Sequence, residues 1–310
     1  GDLLEIGTQA RPELFRLDVR KPPVRYRHVV EVDERVDADG EVVTPLDEAA
    51  ARRDLDDLRQ RGVTSIAICL LNAYMNDAHE RRLAAIAREV GFEHIAVSTE
   101  LTSTIKALDR GDTAVLDAYL SPVIRSYLDN LQRRMPEGRL MLMTSAGAMV
   151  DARHFAGKDS LLSGPAGGVV GCARVAQQAG FEQAIGFDMG GTSTDVSRFD
   201  GRYEYQYSTD KDGVRVVAPM LAIETVAAGG GSICGYDGQR LTVGPESAGA
   251  DPGPACYGRG GPLAVTDINL FNGKIDPQRF PFPLDIDAVR RRLEALADQM
   301  GRAMSLHEIA

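Results

Sequence analysis

The sequence has few cysteines, no clustered metal-binding motif and no long apolar run, and each absence excludes a class of protein. The four cysteines, Cys69, Cys172, Cys234 and Cys256, lie far apart without a CxxC pair, which argues against a disulfide framework or a zinc finger. No window is apolar over the length of a membrane span, and the opening residues contain no signal-peptide core. We therefore expect a soluble, cytoplasmic protein with reduced thiols and no membrane partner.

An excess of basic charge is also missing. The 310 residues carry a formal net charge of -10, whereas nucleic-acid surfaces need clustered Lys and Arg, so no nucleic-acid partner is expected. The five histidines are scattered, and none is paired with a Ser or Cys as in a catalytic triad. The length suffices for two globular domains with real cores.

The first part of the chain predicts alternating strands and helices. Residues 25–43 alternate in polarity around Asp39-Gly40, which predicts a hairpin. Residues 44–47 combine a threonine N-cap, a proline and an acid, so a helix should run to about residue 61. The further predictions are strands at 64–71, 94–101 and 139–145 and helices at 78–91, 112–134 and 166–180. Ser121-Pro122 predicts a kink or break in its helix. This order favours a largely parallel sheet with helices on its faces.

From residue 184 the pattern becomes antiparallel. Residues 184–208 predict a strand, a turn, a second strand, an Asp200-Gly201 turn and a third strand. Glycine-rich loops follow, then a helix at 286–301 and a helix start at Ser305. We place a domain boundary near residue 182, which gives domains at 1–182, with the hairpin insertion, and at 183–310.

The stretch FDMGGTSTDVSRFDG, residues 187–201, concentrates acids, glycines and hydroxyls at the first of these turns. Its candidate site residues are Asp188, Gly190, Gly191, Thr192, Ser193, Thr194 and Asp195. Exposed N–H groups of such a turn form an anion-binding concavity, and the hydroxyls add donors. Asp188 would then hold hydrated Mg²⁺ or activate a water, and Asp195 would do the same or orient the turn. The alternative is a plain hairpin turn, but the full string favours phosphate.

Other glycine-rich segments carry weaker signals. Gly229, Gly230 and Gly231 lie between strand-like segments, which favours close approach to a ligand, and Glu224 is a candidate acid unless it is merely solvated. Residues 163–168 open a helix. There, Ser163 could cap an anion-binding helix end, or the glycines could serve close packing.

The loop at residues 249–258, GADPGPACYG, admits two interpretations. Asp251, Cys256 and Asp267 could ligate a metal, but no histidine accompanies them and the spacing matches no standard zinc site. A rigid structural loop is favoured. His79, near a predicted helix start, is expected to cap or pack there.

Several of these strings together resemble a known family. GFDMGGTSTDVS resembles the phosphate-binding hairpin of the actin-like ATPase superfamily and, more narrowly, that of the hydantoinase A and 5-oxoprolinase family. The further matching strings, in family order, are VDERVDADGEVVTPLDE, NAYMNDAHERR, LLSGPAGGVVGC, TVAAGGGSI, VGPESAGADPGPACYGRGG and TDINL. The resemblance implies an α/β fold of actin-like (ribonuclease H-like) ATPase architecture, with two domains of mixed sheets and flanking helices.

The resemblance also implies that the chain is an interior piece. Family members carry two such hairpins, whereas this sequence contains one, so the fold is expected to be incomplete. The other hairpin would precede Gly1 and the adenosine loop would lie beyond residue 310. Two departures from the family pattern, at residues 145–148 and 72–80, put substrate identity or turnover in doubt.

The family implies an ATP- and Mg-dependent hydrolase that opens cyclic amides such as hydantoin or 5-oxoproline by phosphorylating the amide oxygen. In that scheme Gly190 to Thr194 hold phosphates, Asp188 positions Mg²⁺, Asp188 and Asp195 are catalytic, and Gly229 to Gly231 lie near the nucleotide cleft. A hydantoinase B-type subunit or domain and an oligomeric, heteromeric assembly are implied. The alternatives are an ATP-using subunit of an acetone- or acetophenone-type carboxylase, a non-catalytic nucleotide-binding subunit, or a kinase.

Overall fold

A computed structural model of the chain describes residues 2–7, 15–18, 26–211, 213–301 and 304–310. Its helices are α1 (Asp2–Ile6), α2 (Glu48–Gln60), α3 (Ala78–Val90), α4 (Ser98–Leu101), α5 (Ala107–Arg134), α6 (Ser163–Gln178), α7 (Val265–Phe271), α8 (Ile286–Met300) and α9 (Leu306–Ile309). Of the helices in these ranges, none combines the length and the apolar composition that crossing a bilayer requires.

Short strands pair locally rather than in one wide sheet. They are β1 (Arg35–Val36), β2 (Val42–Thr44), β3 (Ser65–Ile68), β4 (His94–Val97), β5 (Met141–Met143), β6 (Met149–Asp151), β7 (Gln183–Met189), β8 (Thr194–Asp200), β9 (Tyr205–Gln206), β10 (Thr209–Lys211), β11 (Val214–Val216), β12 (Met220–Leu221), β13 (Glu224–Val226), β14 (Ser232–Tyr236) and β15 (Leu241–Ser247). The chain divides into two compact units, Gly1–Val170 with Tyr203–Ala222, and Gly171–Arg202 with Ile223–Ala310. The boundary near residue 182 stays a prediction.

In the first unit, β3, α3 and β4 form the predicted parallel βαβ arrangement. β3 and β4 pair in parallel from Ser65↔His94 onward, because the apolar faces of α2, α3 and α5 cover these strands. The core contains Ala51, Ile68, Leu83, Ala84 and Val97. α3 ends at Gly91 in the left-handed region, as the sequence predicted.

Several local predictions for this unit are wrong in detail. The hairpin around Asp39-Gly40 is present, but its strands are only β1 and β2; residue 25, where the predicted hairpin began, lies outside the described residues. The N-cap of α2 is Asp47, whose side chain accepts from the Ala50 N–H, rather than Thr44, which ends β2. β5 pairs antiparallel with β6, so this part of the unit is not the expected parallel sheet.

Two buried charged residues explain why residues 98–101 form α4 instead of extending the strand β4. Glu80 and Arg110 are both 0% exposed. The Glu80 carboxylate accepts hydrogen bonds from the Ser98 hydroxyl at 2.8 Å, from the Thr99 N–H and hydroxyl at 3.1 and 2.8 Å, and from the Leu70 N–H at 2.8 Å. The Arg110 guanidinium donates to the Ser98 hydroxyl and to carbonyl groups of Leu70, Leu71, Thr104 and Ile105. These hydrogen bonds hold in place residues 70–71, which follow β3, and residues 98–105, which follow β4.

α5 is one continuous helix of 28 residues, although a kink or break was predicted at Ser121-Pro122. Pro122 has no N–H to donate to the carbonyl oxygen of Ala118, four residues earlier. The Ser65 hydroxyl of β3 donates to that oxygen at 2.6 Å. The helix therefore passes through the proline without an unsatisfied carbonyl there.

The second unit contains the predicted antiparallel hairpin of β7 and β8, which pair from Gln183↔Asp200 to Met189↔Thr194. The third strand of this sheet is β13, whereas the segment after the Asp200-Gly201 turn forms β9 and pairs with β12. α6 covers one face, since a Cβ added at Gly186 would lie 3.5 Å from the Cys172 sulfur. The other face exposes three apolar side chains of β7, those of Ile185, Phe187 and Met189.

Candidate phosphate-binding site

The turn between β7 and β8 is closed by one backbone hydrogen bond and is otherwise open. The Gly190 N–H donates to the Ser193 carbonyl at 2.9 Å. Gly190, Gly191 and Thr192 are exposed, and Ser193 is half-buried. A Cβ added at Gly191 would meet no atom within 4 Å. A ligand can therefore reach the backbone of this turn.

The second glycine segment packs directly behind the turn. The Gly230 N–H donates to the Gly190 carbonyl at 2.9 Å, and the Gly231 N–H donates to the Gly191 carbonyl at 2.6 Å. A Cβ added at Gly229 would lie 2.7 Å from both the Gly191 carbonyl carbon and the Thr192 nitrogen, which is closer than any side chain can approach. The close approach predicted for these glycines is thus made to the hairpin itself.

These two hydrogen bonds also orient the N–H groups of the turn. In a planar trans peptide, the carbonyl and the N–H of the next residue point in opposite directions. Because the Gly190 and Gly191 carbonyls point toward the triglycine, the N–H groups of Gly191 and Thr192 point away from it. Among the hydrogen bonds of the described residues, neither N–H group has an acceptor. They form a pair of free donors of the kind that binds anions.

Two carboxylates lie beside each other at the base of the turn. Asp188 of β7 and Asp195 of β8 are direct partners in the strand register, so their side chains share one face of the sheet. The Thr225 hydroxyl of β13 donates to the Asp195 carboxylate at 2.7 Å, while Asp188 is exposed and has no hydrogen-bond partner among the described side chains. Directly opposite like charges repel, and a cation would relieve this repulsion.

The carboxylate pair has the composition of a magnesium site that is completed by the ligand. Within the described ranges, no group of three or more His, Cys, Asp or Glu side chains could hold a metal ion alone. Mg²⁺ is commonly bound by one or two carboxylates, phosphate oxygens and water. Asp188 and Asp195 therefore fit Mg²⁺ that arrives with a phosphate ligand.

Three side chains hold the triglycine in place. Two of them, those of Ser232 and Thr266, are not among the predicted site residues. The Thr194 hydroxyl, with Thr194 only 4% exposed, donates to the Ala228 carbonyl at 2.5 Å. Ser232 accepts from the Gly229 N–H at 2.9 Å, and the Thr266 hydroxyl donates to the Gly230 carbonyl at 2.8 Å. The only available signal for Ser232 and Thr266 was their position inside the family strings TVAAGGGSI and TDINL.

Three glycines of α6, Gly164, Gly167 and Gly171, have no close neighbour within the described chain. A Cβ added at Gly164, Gly167 or Gly171 would meet nothing within 4 Å. Ser163 is the first helical residue rather than a cap before it, and the N–H of Leu162 is bound by the Ser145 hydroxyl at 2.9 Å.

Other predicted candidates take structural positions. Asp267 is fully buried and accepts from the N–H groups of Ala255, Cys256 and Ala264 at 2.8–3.0 Å, which fixes the loop at 249–258. Burial, and then the Asp267 carboxylate, raises the pKa of the Cys256 thiol well above its usual range. Burial raises the pKa of Cys234 to about 11. Both thiols therefore stay protonated and poor as ligands or nucleophiles at neutral pH.

Glu224 and His79 are accounted for by contacts within their own units. Glu224 is the register partner of Val196, so it shares the sheet face of Phe187, opposite to the face of Asp188. His79 follows the start of α3, and its Nδ1 atom lies 2.7 Å from the Glu34 carboxylate.

A cavity of about 460 Å³ lies at the other end of the hairpin, lined by Phe181, Phe199 and Gly201 among others. It is distant from the turn along both strands, because Gln183, which also lines it, is the register partner of Asp200. The free N–H donors of the open turn therefore lie at the opposite end of the hairpin from this cavity.

Comparisons with known proteins agree with this architecture. The sequence matches the family described as Hydantoinase/oxoprolinase over residues 110–310, and the Hydantoinase/oxoprolinase N-terminal region over residues 1–91. It is 41% identical to 5-oxoprolinase 1 of Arabidopsis thaliana, in an alignment that covers 100% of this chain but 28% of that protein.

Two solved structures are similar as well. One is the ATP-dependent caprolactamase of Pseudomonas jessenii, with TM-score 0.77 and 30% identity over 99% of this chain and 47% of that one. The other is nucleotide-free acetone carboxylase, with TM-score 0.71 and 26% identity over 90% of this chain and 41% of that one. The fold is thus an α/β fold consistent with the actin-like ATPase architecture. The chain belongs to the hydantoinase/oxoprolinase family.

Proposed function

We propose that this chain contributes a phosphate-binding hairpin to an ATP-dependent hydrolase of cyclic amides, of the hydantoin or 5-oxoproline type. The observation that carries the proposal is the exposed turn at Gly190–Ser193, where free N–H groups lie next to the Asp188 and Asp195 carboxylates. A polyanion and a divalent cation fit this combination together, whereas neither fits it as well alone.

The proposed roles follow from the contacts. The N–H groups of Gly191 and Thr192 and the hydroxyls of Thr192 and Ser193 bind phosphate oxygens. Thr194 and the triglycine Gly229–Gly231 hold the turn in shape from behind. Asp188 binds Mg²⁺, and Asp195, oriented by Thr225, shares the ion or its water. Bound Mg²⁺ would supply charge neutralisation on the phosphate oxygens.

Activation of the amide by phosphate gives a chemical reason for the use of ATP. An unstrained cyclic amide resists opening, because its carbonyl is resonance-stabilised and the open form re-closes intramolecularly. Phosphorylation of the amide oxygen creates a better electrophile, and the hairpin's donors and cation site would place the transferred phosphoryl group. Positioning and electrostatic stabilisation are the main catalytic contributions in such transfers.

The proposal includes a larger assembly. The chain spans 28% of the length of the Arabidopsis relative, so turnover of a cyclic amide is proposed for the whole protein together with a hydantoinase B-type subunit or domain. The exposed side chains of Ile185, Phe187 and Met189 on β7 support burial of this sheet face in an assembly.

The second candidate is an ATP-using subunit of a ketone carboxylase. Its support is the similarity to acetone carboxylase over 90% of this chain. Both candidates use the same hairpin, and they differ in the molecule that receives the phosphoryl group. ATP loss stimulated by a cyclic amide would favour the hydrolase, and loss stimulated by a ketone would favour the carboxylase. A non-catalytic nucleotide-binding subunit would show binding without either stimulation.

Replacement of Asp188 tests the site. We expect Asp188→Asn to weaken the binding of Mg·ATP by about tenfold or more, the factor given by loss of one charge-assisted contact. Binding of ATP in EDTA should change little, because the carboxylate acts through the cation. Isothermal titration calorimetry on the whole protein that contains this chain measures both affinities.

Asp200→Asn is the matched control, since Asp200 ends β8, the partner strand in the same hairpin, at the opposite end from the turn. Its Mg·ATP affinity should equal that of the wild type. Absence of Mg·ATP binding by the whole protein, or equal binding by its Asp188→Asn variant, would contradict the proposed site.

A further inference from the structure

The first turn of α7 is joined to the phosphate turn through the triglycine. The Gly230 carbonyl accepts two hydrogen bonds from Thr266, one from its N–H at 2.7 Å and one from its hydroxyl at 2.8 Å. The N–H of Gly230 donates to the Gly190 carbonyl at 2.9 Å. A continuous path of hydrogen bonds therefore runs from Thr266 through Gly230 to the turn.

The start of α7 is itself held rigidly. Asp267, the next residue, is 0% exposed and accepts hydrogen bonds from its own helix start, at the Ala264 N–H, and from the loop N–H groups of Ala255 and Cys256. Charge-assisted bonds of this kind are stronger than neutral ones. Thr266 is therefore attached to a fixed base, and it can restrain whatever it binds.

This restraint acts on the atoms that the proposed function needs. The direction of the Gly190 carbonyl sets the opposite direction of the Gly191 N–H, because both belong to one peptide plane. A triglycine has no side chains and would by itself be among the most mobile segments of a chain. Without an anchor on Gly230, the turn would lose the partner that fixes this plane.

We propose that Thr266 is a positioning residue for the phosphate turn: it immobilises Gly230, and Gly230 orients the peptide plane that presents the Gly191 N–H to the ligand. This inference rests on the proposed function and names a residue outside the hairpin on which phosphate binding depends. In this proposal Thr266 acts on the ligand only through Gly230.

The test combines amide exchange with nucleotide binding in Thr266→Val, which removes the hydroxyl, and Thr266→Ser, which keeps it. Hydrogen exchange at the Gly230 and Gly231 amides reports directly on the contact with the turn. We expect Thr266→Val to raise this exchange rate and the Kd for Mg·ATP each by about fivefold, the effect of one lost hydrogen bond. Thr266→Ser should behave as the wild type in both measurements.

Thr242→Val is the matched control, because Thr242 lies in β15 beside Gly235 and has no side-chain hydrogen bond to other described residues. It should leave both measurements unchanged. Thr266→Ala removes the same hydroxyl with less bulk, and it replaces Thr266→Val if that variant does not fold. A general loss of packing would raise exchange across β14 and β15 as well, whereas the proposal expects the increase to be confined to residues 229–231.

Two results would overturn the inference. One is unchanged exchange at Gly230 in both hydroxyl-removing variants, and the other is faster exchange with an unchanged Kd. If the whole wild-type protein binds no Mg·ATP, the proposed function fails, and the exchange measurement alone then decides whether Thr266 holds the turn.

Discussion

Two sets of polar groups in this chain differ in how completely the protein satisfies them. In the first unit, Glu80 and Arg110 are fully buried, and each has several hydrogen-bond partners. In the second unit, Asp188 and the N–H groups of Gly191 and Thr192 are exposed and have no partner within the described chain. Satisfied polar groups stabilise the fold, whereas groups held in place without partners are available to a ligand.

The difference also changes how the family strings should be understood. NAYMNDAHERR also resembles a family string, although residues 72–80 depart from it, and its Glu80 and His79 bind other parts of the first unit. Resemblance alone therefore does not separate structural residues from ligand-binding ones. The partners of each side chain make that separation, and substitutions can test it.

The largest expected effect is on stability, from Arg110→Met. Removal of the guanidinium leaves four carbonyl groups and the Ser98 hydroxyl without the donors that Arg110 supplies, and it leaves the buried Glu80 charge without a nearby cation bound to the same hydroxyl. We expect the free energy of unfolding to fall by about 3–5 kcal/mol. Urea unfolding measures this, with Arg134→Met, an exposed site at the end of the same helix, as the control. A loss below about 1 kcal/mol would show that the buried hydrogen bonds of Arg110 stabilise the fold no more than an exposed ion pair does.

Asp112 is a poorly satisfied polar group of the first unit. Its removal should therefore raise the free energy of unfolding, whereas removal of Arg110 should lower it. Partial burial, followed by the nearby Asp109 and Asp210 carboxylates, raises the pKa of Asp112 from 3.8 to about 6. The folded protein thus binds the proton more tightly than the unfolded chain. The ionised Asp112 carboxylate therefore lowers the free energy of unfolding. This loss is absent below about pH 4, grows as the pH rises to about 6, and is complete above about pH 6.

Asp112→Asn should accordingly raise the free energy of unfolding at pH 7.5 by about 1 kcal/mol, after allowance for solvent screening of this half-exposed group. Near pH 3.5 the wild type and the variant should be equally stable. Urea unfolding across this pH range checks the result, and a benefit that persisted unchanged at pH 3.5 would rule out the titration of Asp112 as its cause.

The smallest effect on stability is expected at the turn. Gly191→Ala adds a methyl group that meets no atom within 4 Å, and Gly191 is not in the left-handed region, so the free energy of unfolding should change by less than about 0.5 kcal/mol. The methyl group would nevertheless crowd the ligand side of the turn and weaken Mg·ATP binding. Gly235→Ala, in β14, is the control for both the thermal unfolding and the calorimetric measurements. Unchanged affinity in Gly191→Ala would place the phosphate elsewhere.

The sequence predicted the hairpin of β7 and β8 well, because its signal is local: alternating residues on both sides of a glycine turn. It also predicted α3 and its end at Gly91, for the same reason. The N-cap of α2 was misassigned because Thr44 and Asp47 both satisfy the local pattern, and only the pairing of β2 decides between them.

Long-range contacts could not be predicted in the same way. The third strand beside β8 is β13, and the intervening segment from β9 to β12 leaves this sheet, which no local pattern indicates. The contact between the triglycine and the hairpin could not be predicted, because a glycine that approaches a ligand and one that approaches another backbone look alike in sequence. Thr266 lies 36 residues from Gly230, and its role became visible only in the folded chain.

The proline in α5 has a consequence for how this chain can vary. Ser65 supplies to the Ala118 carbonyl the hydrogen bond that Pro122 cannot make. Among relatives, residues at these two positions are therefore expected to change as a pair. A chain that loses the serine first would pass through an intermediate with an unsatisfied carbonyl, whereas one that loses the proline first would not. The order of substitutions along a lineage is thus constrained by a single hydroxyl.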